Sequence, residues 1–302
     1  MTRRGWLLFA ALGLVWGIPY LLIKVAVAEV SPATLVFLRT IIGTALLLPI
    51  AAARNELAPL LPRWRWLVAY TAAEVAIPWF FLSDAERHIS SSLAGLLIAA
   101  VPFVGALLAW LTGGDDRPDR RRVGGLVIGF VGVAALVGLD VSAGDLGAVA
   151  EVALVAIGYA TGPMIIARRL SGVPAIGVVA ASLALTAIVY APVGIAQLPA
   201  AAPSLSAVAA IAILGVICTA LAFLVFFALV AEVGPARATV ITYVNPAVAL
   251  ALGVALLGEP LTFGIALGFG LVLLGSFLAT RRSAPAVTPA TRPSRSSAVR
   301  AP

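Results

Sequence analysis

The sequence predicts an all-α integral membrane protein with ten transmembrane helices in two inverted five-helix repeats. Three observations carry this. First, 62% of the 302 residues are hydrophobic and only 11% are charged, with a mean hydropathy of +1.10. A soluble domain is nearer half apolar and a quarter charged. Second, apolar runs of the length that crosses a hydrocarbon core of about 30 Å recur along the whole chain. They do not alternate with period two, as the strands of a membrane barrel would. They are apolar nearly all round, as suits helices whose backbone bonds close internally. Third, the chain carries an internal repeat.

Charged, Pro and Gly clusters punctuate the apolar runs. They place the helices at 5–28, 34–53, 66–84, 90–111, 123–140, 147–168, 174–197, 207–231, 236–257 and 262–280. The start, MTRRGWLLFAALGLVWG, has the charge and apolar run of a signal peptide. Its apolar run continues through IPYLLIKVAVA without a small-residue cleavage pattern, so it reads as a retained first helix. After Arg281 the chain is rich in Pro, Ser and Arg and lacks an apolar face, the composition of a disordered tail over 281–302. Cys218 is the single cysteine, so no internal disulfide forms, and the single His88 leaves no multi-histidine metal set. No cofactor is expected.

The net charge of +7 reads as topology, not as a nucleic-acid signal. With the N-terminus inside, seventeen of the 20 basic residues fall on the cytoplasmic side. Only Arg87 and Lys24 lie toward the outside, and Arg39 lies within the second helix. This bias predicts a multi-pass protein of the cell membrane with both termini cytoplasmic. The DDRPDRRR loop is part of it and adds attraction to anionic lipid headgroups.

The repeat appears in two distant pieces. VPFVGALLAWLTGGDD from Val101 aligns with NPAVALALGVALLGEP from Asn245, pairing Pro102 with Pro246 and Asp115 with Glu259 at an offset of 144. Pro19 pairs with Pro163 at the same offset. The halves are 1–142 and 143–280. Five helices per half is an odd number, so the second half enters the membrane inverted. In transporters built this way the substrate site lies near the midplane between the halves.

These stretches also resemble a family. FFALVAEVGPARATVITYVNPAVALALGVALLGEPLTFGIALGFGLVLLGSFLATRR, VWGIPYLLIK and SPATLVFLRTIIGTALLLP are similar to the EamA branch of the drug/metabolite transporter superfamily. The resemblance covers about residues 5–280. It departs after the fourth helix, where GGDDRPDRRR replaces a Glu-containing turn. It implies a central cavity lined by helices 1, 3 and 4 of one half and 6, 8 and 9 of the other. It also implies export of small metabolites or amphipathic compounds.

Glu74 is the first candidate site residue. It lies about halfway along an apolar segment, where a carboxylate costs about 2.5–3.5 kcal/mol on insertion scales. Such groups face a cavity or a partner. Tyr70, Glu74 and Pro78 share one helix face. Two readings stand: a proton-coupling residue in the cavity, or a neutral acid bonded to a neighbouring helix. Glu151, nearer the outside, either joins it in coupling at the outer mouth or reaches water. Arg39 fits a structural partner for a carbonyl or an acid. Lys24 and Arg168, at helix ends, are expected to snorkel. Glu259 is expected to cap its own turn.

Aromatic and amide groups beside helix breaks form the candidate substrate-binding set: Trp16, Tyr20, Trp79, Tyr159, Tyr243 and Asn245, with Glu74. A proline frees a carbonyl one turn earlier, and such groups are tolerated where they line a cavity. The competing reading is the interfacial aromatic belt, which Trp6, Trp64 and Trp66 fit. Gly125 with Gly129, and Gly264 with Gly268, form G-x-x-x-G patterns in helices 5 and 10. They serve close packing within the chain or a homodimer face. No P-loop pattern occurs. The only constellation of an enzyme type is SDAERH at Ser83–His88, expected in a short outer loop without a nucleophile motif. An uncoupled facilitator remains the alternative within transport.

Overall fold

A computed structural model of the chain describes residues 2–112, 120–234 and 238–280. The acidic turn at Asp115, most of the DDRPDRRR loop, Arg237 of GPARAT and the tail 281–302 lie outside the described residues.

Among the described residues the regular structure is entirely helical. Eight helices are long and apolar enough to cross a membrane. They are α1 (Arg3–Val27), α2 (Pro32–Ala53), α3 (Ala58–His88), α4 (Ser91–Leu111), α5 (Arg120–Asp140), α6 (Leu146–Arg169), α7 (Ala175–Ala196) and α8 (Leu205–Val233). Two shorter apolar helices follow, α9 (Asn245–Leu257) and α10 (Phe263–Thr280). Local chemistry sets the starts. Ser31, Ser90 and Ser204 each accept the backbone N–H three residues on, the bond that satisfies an otherwise orphaned first-turn donor. Pro32 then occupies the first turn of α2, where its missing N–H costs nothing. Gly258 ends α9 in the left-handed conformation, φ 66°.

Four expectations need correction. α3 runs on to His88, so SDAERH is helical and not an outer loop; Ser83 and Glu86 are buried in it. The ninth helix begins at Asn245, not 236, because Pro246 suits a first turn; a short 3₁₀ turn, Thr239–Tyr243, precedes it. α4 is interrupted at Ala99 and Ala100, just before Pro102. α3 and α8 each contain a π turn, Thr71–Ala76 and Val216–Leu221, which apolar periodicity does not signal.

The most extensive pairings join α5 with α10 and α2 with α7. Next come α3 with α6, α1 with α8, α4 with α6, α2 with α8, α1 with α9, α4 with α9, and α3 with α7. Exchanging each helix of the first five for its counterpart in the last five maps this set onto itself. The glycines of α5 and α10 meet each other within the chain. A Cβ on Gly275 would lie 2.3 Å from the Gly129 nitrogen, and one on Gly132 would lie 2.7 Å from the Val272 nitrogen. Backbone therefore packs on backbone there.

Carboxylates from connecting segments cap helix starts in the other half. Glu259 accepts both N–H groups and both hydroxyls of Ser91 and Ser92, at 2.5–2.9 Å, at the start of α4. It thus caps a distant helix and not its own turn. Burial pushes the Glu259 carboxyl up, but the Ser92 and Ser91 bonds outweigh this and hold it below the usual carboxylate range. Glu29, in the α1–α2 connection, accepts from the hydroxyl and N–H of Ser204 at the start of α8, and these bonds lower it too. Glu56 accepts from Gly177 N at 3.0 Å in the first turn of α7. A negative charge at a helix N-terminus meets the positive end of the backbone dipole.

Candidate functional site

The polar interior forms where α1, α2, α3, α6 and α8 meet. Arg39 of α2 is 7% exposed and is its centre. Its guanidinium carbon lies 3.7 Å from the centre of the Trp79 ring on α3, a cation–π contact. Its Nε donates to the Thr219 hydroxyl on α8 at 2.9 Å. The partner is a hydroxyl and a ring face, not the carbonyl or acid expected from the sequence. Local structure prepares Thr219 for this. It sits in the π turn of α8 and donates its own proton to the Leu214 carbonyl at 2.7 Å. Only its lone pairs remain, and one receives the Arg39 N–H.

Tyr20, Tyr159, Cys218 and Glu86 are the remaining electrostatic neighbours of Arg39. Tyr20 is 7% exposed on α1. Tyr159 of α6 packs against two separate apolar clusters, so it stands at their junction. The Trp79 indole lies within hydrogen-bonding reach of the Tyr159 oxygen. Three of the candidate residues, Tyr20, Trp79 and Tyr159, thus converge on Arg39.

Glu74 lies in the π turn of α3, packed on α6. A Cβ added to Gly162 would sit 1.9 Å from its Oε2, and one added to Gly158 would sit 2.3 Å from the Ala73 carbonyl. The two glycines, four apart, let the turn approach. Glu74 Oε2 is buried with no hydrogen bond, and the side chain is an electrostatic neighbour of Tyr70 and Tyr159. Glu74 therefore faces the protein interior through α6 and reaches the Arg39 cluster by way of Tyr159.

Other candidates lie apart. Glu151 has one buried, unbonded carboxyl oxygen and faces Asp84 and His88 at the end of α3. It is eleven residues from Gly162 along α6, about 16 Å at helical rise, so the two acids are not brought together. Trp16 turns to α8, with ring centroids 5.0 Å from Phe226 and 6.0 Å from Phe223. Asn245 opens α9 with its Oδ1 buried and unbonded. Its carbonyl is 3.1 Å from where a Gly17 Cβ would be. Tyr243, half-buried, precedes it in the 3₁₀ turn.

Lys24 does not snorkel. Its Nζ donates to the carbonyls of Glu86 and Ile89, at 2.5 and 2.8 Å, closing the end of α3. Glu86 is fully buried, and neither carboxyl oxygen has a hydrogen bond. Sequence reasoning missed Glu86 because it treated that stretch as a loop. It also missed Gly158 and Gly162, although GYATG carries their spacing. Trp6 and Trp64 are 58% and 57% exposed, as the interfacial belt requires. Two apolar grooves lie on the periphery. One, of about 290 Å³, is lined by Leu48, Trp64 and Leu185 among others; the second, of about 410 Å³, includes Val30, Leu198 and Ile211. Neither reaches Arg39.

A bundle of lipid-length helices that gathers ionisable and aromatic groups in its interior is a multi-pass membrane protein of the solute-handling class. The chain belongs to the EamA-like transporter family, whose profile matches residues 3–138 and again 146–281. It is 26% identical over 282 residues to an uncharacterized transporter of Archaeoglobus fulgidus, covering 92% of this chain and 99% of that protein. It is 24% identical to the uncharacterized transporter YvbV of Bacillus subtilis, over 93% of each chain. To the uncharacterized inner membrane transporter YedA of Escherichia coli K12 it is 28% identical, over 89% of this chain and 88% of YedA. A crystal structure with 23% identity superposes with a TM-score of 0.65 over 93% of this chain and 97% of its own, a likeness of fold. The family and the names of these relatives indicate a membrane transporter.

Proposed function

We propose that the chain is a secondary transporter that exports small metabolites, amino acids or amphipathic compounds across the cytoplasmic membrane by alternating access. In this reading all ten helices span, the two halves are inverted repeats, and both termini are cytoplasmic. The exchange symmetry of the helix pairings supports the repeat, and so do the two π turns, which begin 145 residues apart. The observation that carries the transport reading is the enclosed Arg39 cluster, built by helices from both halves. Tyr20, Trp79 and Tyr159 contact the substrate, with Trp16, Tyr243 and Asn245 on the path beside it. Their burial corresponds to a closed stage of the cycle.

Glu74 couples movement to protons, and Glu151 serves the outer mouth. An unbonded carboxyl oxygen inside the bundle supports this role, because such a group is costly as an anion and gains by exchanging its proton. A homodimer through α5 and α10 uses their outer faces, since their glycines already meet within the chain.

The test is comparative release. Wild type and Glu74→Gln are expressed at equal membrane levels in a host lacking related exporters, and the medium is profiled at several pH values. A compound released by wild type and at least about tenfold less by the variant supports coupled export, a change of about 1.4 kcal/mol in the barrier. Equal release with equal pH dependence makes Glu74 structural and the protein an uncoupled facilitator. No release, and no uptake, sinks the transporter reading.

A further inference from the structure

We propose that Arg39 is the receptor for a carboxylate on the transported molecule, so that the substrate class is small molecules bearing one carboxylate, amino acids among them. This rests on the transporter reading and adds the chemistry of its substrate.

A buried cation is costly unless paired with an acid. Arg39 is buried, yet the ion pairs among the described residues are Arg4–Glu232 and Arg87–Asp84, in both of which the arginine is exposed. Glu86 does not fill the role, since neither of its carboxyl oxygens has a hydrogen bond and it belongs to neither of these ion pairs. What Arg39 has instead is a mounting. Thr219 takes Nε, and the Trp79 face lies against the guanidinium. Nearly every degree of freedom of the group is then fixed.

The mounting leaves the fork free. The two terminal amino groups hold four of the five guanidinium donors. They have no hydrogen bond to any described residue. Two parallel N–H donors on one rigid plane match the two oxygens of a carboxylate. A phosphate dianion would call for a second cation. Lys24, the cation of α1 at the end of α3, already donates to two carbonyls. Tyr20 and Tyr159, both near Arg39, add hydroxyl and ring surface for an apolar or aromatic remainder. Glu74 lies beyond Tyr159. The site therefore favours one carboxylate.

The test uses the purified full chain in detergent and reads the thermal midpoint with a panel of probes. The panel is the proteinogenic amino acids and short aliphatic and aromatic monocarboxylic acids. Each is matched by its amide, which lacks the carboxylate, and by the corresponding amine. The expected result is that at least one carboxylate raises the midpoint while its amide and amine do not. Arg39→Lys should then need about tenfold more ligand, because a point charge loses the bidentate geometry, and Arg39→Gln should lose the response. The wild-type discrimination needs no variant, so it survives a variant that fails to fold. A response to amino acids alone assigns the amine to the site; a response to simple acids as well assigns the carboxylate alone. If no carboxylate is distinguished from its amide, or if Arg39→Gln responds as wild type does, the proposal is overturned. Release by wild type of amines or neutral compounds only would overturn it too, while leaving the transporter reading intact. Absence of release and uptake would instead strike the transporter reading.

Discussion

The π turns of α3 and α8 occupy corresponding places in the two halves and do different work. The fourth residue is Glu74 in one and Thr219 in the other. A fixed offset of 144 would have paired Glu74 with Cys218; the turns themselves pair it with Thr219. In α8 the turn is held by its own side chain, Thr219 to the Leu214 carbonyl. In α3 it is held from outside, by the Tyr190 hydroxyl of α7 on the Ala76 carbonyl at 3.0 Å. The neighbours differ as well. The α3 turn meets α6 with its backbone against Gly158, whereas the α8 turn meets Gly43 of α2 through the Thr219 methyl, 3.0 Å from an added Cβ. One backbone device thus serves two chemistries: an unbonded acid on one side, a pinned cation on the other. Symmetry of helices does not impose symmetry of charge.

Four measurements would break or sharpen this comparison. The largest effect is expected for Gly158→Ala, whose new methyl meets a backbone carbonyl that cannot rotate away. Overpacking of this kind costs about 1–3 kcal/mol, and the thermal midpoint of the purified protein should fall well below that of Gly43→Ala, where a side-chain methyl can yield. Equal midpoints would mean that the two turns are packed alike. Next comes Thr219→Val. It keeps the shape but removes the bond to the Leu214 carbonyl and orphans the Arg39 Nε–H, for a loss of about 2 kcal/mol, with Thr219→Ser recovering most of it. Tyr190→Phe removes one bond to the α3 turn. Its cost should be about 1 kcal/mol, and a loss as large as that of Thr219→Val would erase the contrast between internal and external support.

The smallest effect concerns the carboxylate caps that tie the halves outside both turns. Glu259 and Glu29 are held below the ordinary carboxylate range in the folded chain. Folding therefore favours their ionised forms. That contribution is fully present above the unfolded-state value, about 4.3, and is lost as the pH falls through the lower folded-state value. The thermal midpoint should be flat with respect to these groups at neutral pH and drop in acid. Glu259→Gln should lower the neutral-pH midpoint and flatten the acid limb, and Glu29→Gln, exposed at the surface, should do so less. An acid limb unchanged in Glu259→Gln would remove this cap from the account.

Much of the fold was legible because lipid imposes a simple rule, long apolar runs. Prolines and glycines also punctuate those runs. Glu74, Tyr20, Trp79 and Tyr159 were legible because ionisable or aromatic groups beside a proline stand out against Leu, Val and Ala. Arg39 was visible in FLR, but its partner was not, since nothing in VICTAL marks Thr219 as the acceptor. Contacts made across the halves leave no local trace. Glu259 lies 167 positions from Ser92, and no periodicity links them. The π turns were hidden for the same reason, as TAAEVA and VICTAL read as ordinary helix.

The glycine seam between α5 and α10 has a mechanical consequence. Where backbone rests on backbone there are no rotamers to rearrange, so the joint stores little slack. Whatever parts of the bundle move, these two helices travel as one beam. Exposed positions on that beam, such as Val127 and Phe130, are therefore reference points: spectroscopic labels there would give the fixed frame against which displacement of the other helices is read.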